Sequence, residues 1–162
     1  MKPRELELEW TAQILRFKKL TRRYPTHLDS HHHIHIHPVI GKVFVRLAEK
    51  FRIPFRPSSP RFSKIERARI WKKGILLPQS FLGNLDAARH WTESSLTRTL
   101  KGLKPGIHEQ MCHPGRYSRS LSEISSFQRG RETELKALTS KKVLEVVQKK
   151  NIQLIHFGYL NR

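Results

Sequence analysis

Apolar positions along the chain fall into two kinds of repeat. Over residues 4 to 20, Leu6, Trp10, Ile14 and Phe17 recur at helical spacing with charged residues between them, which predicts an amphipathic helix. The stretch "RRYPTHLD" ends it, because Pro25 disfavours helical backbone at the residue before it. From 39 to 51, Val39, Val43, Phe44, Leu47, Ala48 and Phe51 form one apolar stripe, and Pro38 suits a helix's first turn. Further helices are expected over 63–72, over 85–103 with Leu85, Ala88, Trp91 and Leu96 as apolar positions, and over 132–150 with Leu135, Leu138, Val143, Val146 and Val147 inward.

The shorter segments between them read as strands: 26–37, "RIPFRP", "GILLPQSFLG", the middle of "PGIHEQMCHPG" (105–115) and the closing "IQLIHFG". Residues 116–131, rich in serine and arginine, read as a mobile loop. Strand and helix alternate four times, which predicts an α/β class with parallel strands in one domain over 1–162. Such folds keep their chemistry at strand ends.

Charge changes the picture in one respect. With 32 Lys+Arg against 13 Asp+Glu, the formal net charge is +19, a surface that attracts polyanions such as RNA, DNA or anionic lipid. A basic module binding nucleic acid is therefore the alternative function, although no aromatic RNA-binding signature or zinc-finger spacing accompanies the charge. The single cysteine, Cys112, excludes an internal disulfide framework and fits a reducing compartment. No apolar run approaches the roughly 20 residues that span a bilayer, and the charged N-terminus has no secretion signal, so a cytoplasmic location is expected.

Six of the ten histidines lie between His27 and His37. If 26–37 is extended, His27, Asp29, His31, His33, His35 and His37 share one face, while Leu28, Ser30, His32, Ile34 and Ile36 take the other. An internal, alternating run is not what an affinity tag leaves. Same-face neighbours on a strand lie about 6.6 Å apart, so two imidazoles can converge on one ion and six cannot. Asp29 is the one carboxylate available to orient a ligating histidine. Composition alone leaves a metal site and a histidine-rich loop both open. His113, before Pro114 and Gly115 at a strand end, is either a capping or packing group or a catalytic side chain. Cys112 and His113 are adjacent and point to opposite faces of a strand, which argues against a Cys–His nucleophile pair.

The strings "PTHLDSHHHIHIHPVI", "IPFR", "EQMCHPG", "RETELKALTS" and "IQLIHF", in that order, resemble the YdjC-like carbohydrate deacetylase family. The resemblance implies a distorted (β/α) barrel of the polysaccharide-deacetylase type. It also implies one divalent ion, magnesium in the family, and removal of acetyl groups from N-acetylated sugars such as chitooligosaccharides. By position, the metal-ligating histidine falls on His31, and His113 is the general acid or binds the tetrahedral intermediate. His33 and His35, with Asp29, become substrate-binding residues or supports for the ligand. The family's Asp-Asp-Phe-Gly strand and its Gly-x-His segment have no counterpart here, so the expected barrel lacks its N-terminal strands, its base and two ligands. The chain is then the C-terminal part of a longer or split gene, an inactive relative, or a site rebuilt from its extra histidines, which favours zinc or nickel. A barrel without its first strands exposes apolar edges and implies a partner: an N-terminal half or a second copy.

Overall fold

The computed structural model describes residues 2–57, 64–83, 89–125 and 128–161. They form two compact units, one of residues 1–80 and 155–162, the other of residues 81–154.

In the first unit, α1 (Pro3–Thr21) has proline in its first turn, and the Glu5 carboxylate receives the Lys2 backbone N–H at 3.0 Å. It ends at Arg22, whose left-handed backbone (φ 64°) returns its N–H to the Lys18 carbonyl. Leu6 and Ile14 are buried and Trp10 packs beside them, as the spacing predicts, whereas Phe17 is exposed. Next, α2 (Pro38–Phe51) buries Val43, Phe44, Leu47 and Ala48. One face joins Leu6, Ile14 and Ile53, and the other joins Phe55, Ile75, Leu77 and Ile70 of α3 (Lys64–Lys72). Each such side chain removed from water contributes about 1.5–3 kcal/mol, so α2 is the centre of this unit's stability.

Two expected strands are absent here. Only an isolated parallel bridge joins Leu28 to Phe55, with Leu28 N–H donating to Pro54 and Arg56 N–H donating to Leu28. The histidine run is not extended: His31–Ile36 forms a 3-10 turn in which His32 and His33 take left-handed backbone (φ 50° and 54°). The single histidine face of an extended strand therefore does not exist. Period-two alternation lost to tertiary packing, because His35 turns inward to stack on Phe44. The closing segment is likewise not a strand but ends in a turn over Phe157–Asn161.

In the second unit, β1 (Ser80–Leu82), which begins at the boundary, pairs with β2 (His108–Gln110). Then α4 (Glu93–Lys101) starts at Thr92, whose hydroxyl receives the Ser95 N–H. The expected helix over 85–103 is thus shorter, and its positions Leu85 and Ala88 lie outside the described residues. A short α5 (Arg119–Ile124) occupies part of the expected loop. The expected helix over 132–150 is two: α6 (Arg129–Leu138) and α7 (Lys141–Lys149). They break where the Thr139 hydroxyl donates back to the Leu135 carbonyl and Ser140 turns to Glu93. Leu96 and Leu100 of α4 pack on Ala137, Val143 and Val146. The result is a mixed α/β structure rich in helix, in which the four-fold strand–helix alternation is not seen among the described residues.

Candidate functional site

The turn after Leu28 gathers Asp29, His33 and His35, whose ligand atoms lie within 4.8 Å of one another. Three devices place them. The paired left-handed residues reverse the chain between Asp29 and His35. Ser30 joins two of the three: its N–H donates to Asp29 Oδ1 at 2.7 Å, and its Oγ lies 2.5 Å from His35 Nδ1 while receiving the His35 N–H at 3.1 Å. Gly41 on α2 lets the helix approach, since a Cβ there would stand 2.6 Å from the His35 carbonyl oxygen.

His35 is 7% exposed, and its ring stacks on Phe44 with centroids 4.6 Å apart. Burial above all lowers its pKa to about 4; the Asp29 charge opposes this, and His33 and Arg56 reinforce it. The imidazole is therefore neutral at ordinary pH, the form that ligates a metal. Asp29 Oδ2 holds the Arg56 guanidinium at 2.8 Å, which keeps the carboxylate in place. Two imidazoles and a carboxylate are a donor set suited to a borderline divalent ion such as zinc or nickel. A cavity of about 440 Å³ opens beside them, lined by His35, Phe44, Phe55 and Arg56 among others.

His31, the ligand implied by resemblance, has an exposed ring lying edge-on to His32 and is not in the cluster. His27 stacks on Phe157, and burial lowers its pKa.

In the second unit, His113 follows β2 on an irregular segment. Its backbone N–H donates to Glu134 Oε2, and the other Glu134 oxygen receives the Trp91 N–H at 3.2 Å. The Trp91 indole N–H donates to the Met111 carbonyl at 2.8 Å. The Cys112 thiol pKa is raised, by burial first and then by the Glu134 charge, so the cysteine is a poor nucleophile.

The model of YdjC-like proteins matches residues 1–149. The chain belongs to the YdjC-like family. It is 31% identical over 159 residues to a carbohydrate deacetylase of Brevibacillus brevis, a match covering 98% of this chain and 62% of that protein. A carbohydrate deacetylase of Thermoanaerobacter pseudethanolicus is 33% identical over 137 residues, 83% of this chain and 52% of its own. A crystal structure from Enterococcus faecalis, named for cellobiose-phosphate cleavage, superimposes with a TM-score of 0.77 at 28% identity, covering 99% of this chain and 62% of that one. The chain thus spans between half and two thirds of the length of these YdjC relatives.

Sequence reasoning gave no part in these two sites to Ser30, Arg56, Trp91 or Glu134. Ser30 carried a usable signal, standing between the run's one carboxylate and its histidines. Glu134 lies in "RETELKALTS", but a carboxylate on an amphipathic helix reads as solvent-facing until its burial is seen.

Proposed function

We propose that this chain carries part of the site of a metal-dependent hydrolase that removes acetyl groups from N-acetylated sugars. The observation that carries the reading is the Asp29–His33–His35 cluster beside a cavity in a YdjC-like chain. The carbohydrate deacetylase names of its relatives support the substrate class, an N-acetylated oligosaccharide. Likeness to the Enterococcus faecalis structure supports a partial distorted (β/α) barrel.

The ion is assigned to Asp29, His33 and His35. Once bound, a divalent ion supplies Lewis-acid polarisation of the acetyl carbonyl and a water of lowered pKa. The chain's own groups do the rest. Arg56 and Ser30 hold the Asp29 carboxylate, and Ser30 and Phe44 fix the His35 ring. The resemblance offers His113 as the general acid that gives the leaving amine its proton, or as a group that binds the tetrahedral intermediate. The resemblance implies magnesium, whereas two imidazoles in the donor set favour zinc or nickel.

Calorimetry with cobalt, zinc, nickel and magnesium tests the ligand assignment. Binding should fall about 10- to 100-fold or more in His35→Ala and stay within a few-fold in His31→Ala; the reverse pattern returns the ligand to His31. Acetate release from N-acetylglucosamine oligomers is measured on the chain alone and with a supplied N-terminal half of a YdjC relative. Release lost on chelation supports the enzyme, and no release under any metal in either arrangement refutes it.

A further inference from the structure

We propose that Glu134 is the positioning residue of the His113 loop, its buried carboxylate fixing the histidine's backbone for proton transfer. The functional half of this inference rests on the proton-donor role proposed above for His113.

Glu134 is 3% exposed, and it stands one turn before Ala137, a member of the unit's apolar core. An ionised carboxylate removed from water costs several kcal/mol unless hydrogen bonds replace its hydration. Both oxygens are engaged by backbone N–H groups from two different segments, Trp91 and His113. Trp91 completes the brace, since its indole N–H takes the Met111 carbonyl. The chain is therefore gripped on both sides of Cys112, by a carbonyl at 111 and an amide at 113.

The grip continues along the loop. Gly115 N–H donates to the Arg131 carbonyl at 3.2 Å, and Tyr117 N–H donates to Glu132 Oε1 at 3.1 Å. Every second amide from 113 to 117 is thus received by α6. Pro114, which has no N–H, occupies a skipped position. The contact to His113 is made by a carboxylate oxygen, whereas the bond at Gly115 is made by a neutral carbonyl. An apolar side chain of similar volume would fill the same space but leave the Trp91 and His113 N–H groups without this acceptor. What the carboxylate adds is a fixed location for the backbone that bears the imidazole.

The test uses the full ¹⁵N-labelled chain and the substitutions Glu134→Gln and Glu134→Asp. Glutamine keeps the shape but turns one acceptor into a donor facing an N–H; aspartate keeps the charge with a shorter reach. In Glu134→Gln, amide exchange at Trp91 and His113 should quicken by about 10-fold or more while α7 amides hold within about twofold. The His113 imidazole nitrogen signals should shift or broaden. Where acetate release is measurable, kcat should fall about 10- to 100-fold with KM nearly unchanged, because a small misplacement is costly in rate. Glu134→Asp should recover part of each effect and serves also if the glutamine variant does not fold. Unchanged exchange at His113 and Trp91 overturns the proposal. Uniform quickening across the second unit also overturns it, since that is the mark of a merely structural group. If His113→Ala releases acetate at the unsubstituted rate, the proton-donor reading falls; the exchange and imidazole signals still decide the clamp.

Discussion

The two histidine-bearing loops are held in opposite ways. The Asp29–His35 turn is fixed through side chains: Ser30 bonds two of the cluster's residues, Arg56 holds a third contact, and the His35 ring lies on Phe44. The His113 loop is fixed through its backbone, with amides 113, 115 and 117 received by α6. Side-chain fixation sets ring orientation, which a metal ligand needs. Backbone fixation sets the location of the residue that bears the ring. The first arrangement should then be sensitive to packing around the rings, and the second to loss of a single acceptor.

The strongest way to break this contrast is at Phe44. Phe44→Ala removes a buried ring from the first unit and the surface on which His35 stacks. It should cost about 3–5 kcal/mol in urea unfolding and weaken cobalt binding. Gly41→Ala comes next: its Cβ meets backbone rather than a side chain, so relief requires the turn to move. A loss of about 1–3 kcal/mol is expected, together with a changed cobalt spectrum. A wild-type spectrum would show that the turn is not built around this close approach.

The left-handed residues sharpen the comparison further. His32 is exposed, so a substitution there reports on backbone and on the edge-on contact with the His31 ring, which valine and glycine both remove. His32→Val should cost about 1–2 kcal/mol, since a β-branched residue resists φ 50°, whereas His32→Gly should be neutral or slightly stabilising. Equal effects of the two would mean that the turn relaxes.

The smallest effect concerns Glu49 on α2. Burial alone would raise its pKa, but bonds and charges from Lys73 and Arg69 outweigh this and hold the carboxylate below its ordinary value. A carboxylate depressed in the folded chain binds fewer protons there than when unfolded. Its stabilisation is present above about pH 4.5 and is lost as pH falls through the folded value. Both cations are about half exposed, so Glu49→Gln should cost at most about 1 kcal/mol at neutral pH and flatten the acid limb of the stability profile.

How much could be read from residues alone follows the same division. The two N-terminal helices were legible because Leu6, Trp10 and Ile14, then Val43, Phe44, Leu47 and Ala48, keep a 3.6-residue stripe that the fold buries. Asp29, His33 and His35 were legible as candidates by chemistry, but not their convergence. Alternation in "HHHIHI" has a strand's period, and only the pull of Phe44 on His35 and the left-handed pair turn it inward. The α6–α7 break was hidden because the apolar stripe runs on through Thr139 and Ser140, whose hydroxyls go to the Leu135 carbonyl and to Glu93. The Glu134 brace was invisible for a different reason: its acceptors serve main-chain groups, and main-chain donors are the same at nearly every residue.

Anchoring through main-chain groups bears on how such a loop can change over time. A segment anchored by its peptide groups places few demands on its exposed side chains, so Arg116 and Tyr117 are open to replacement while the histidine stays where it is. Mutational drift or laboratory selection could retune what the loop greets without dismantling the mooring, provided the acidic residue on α6 survives.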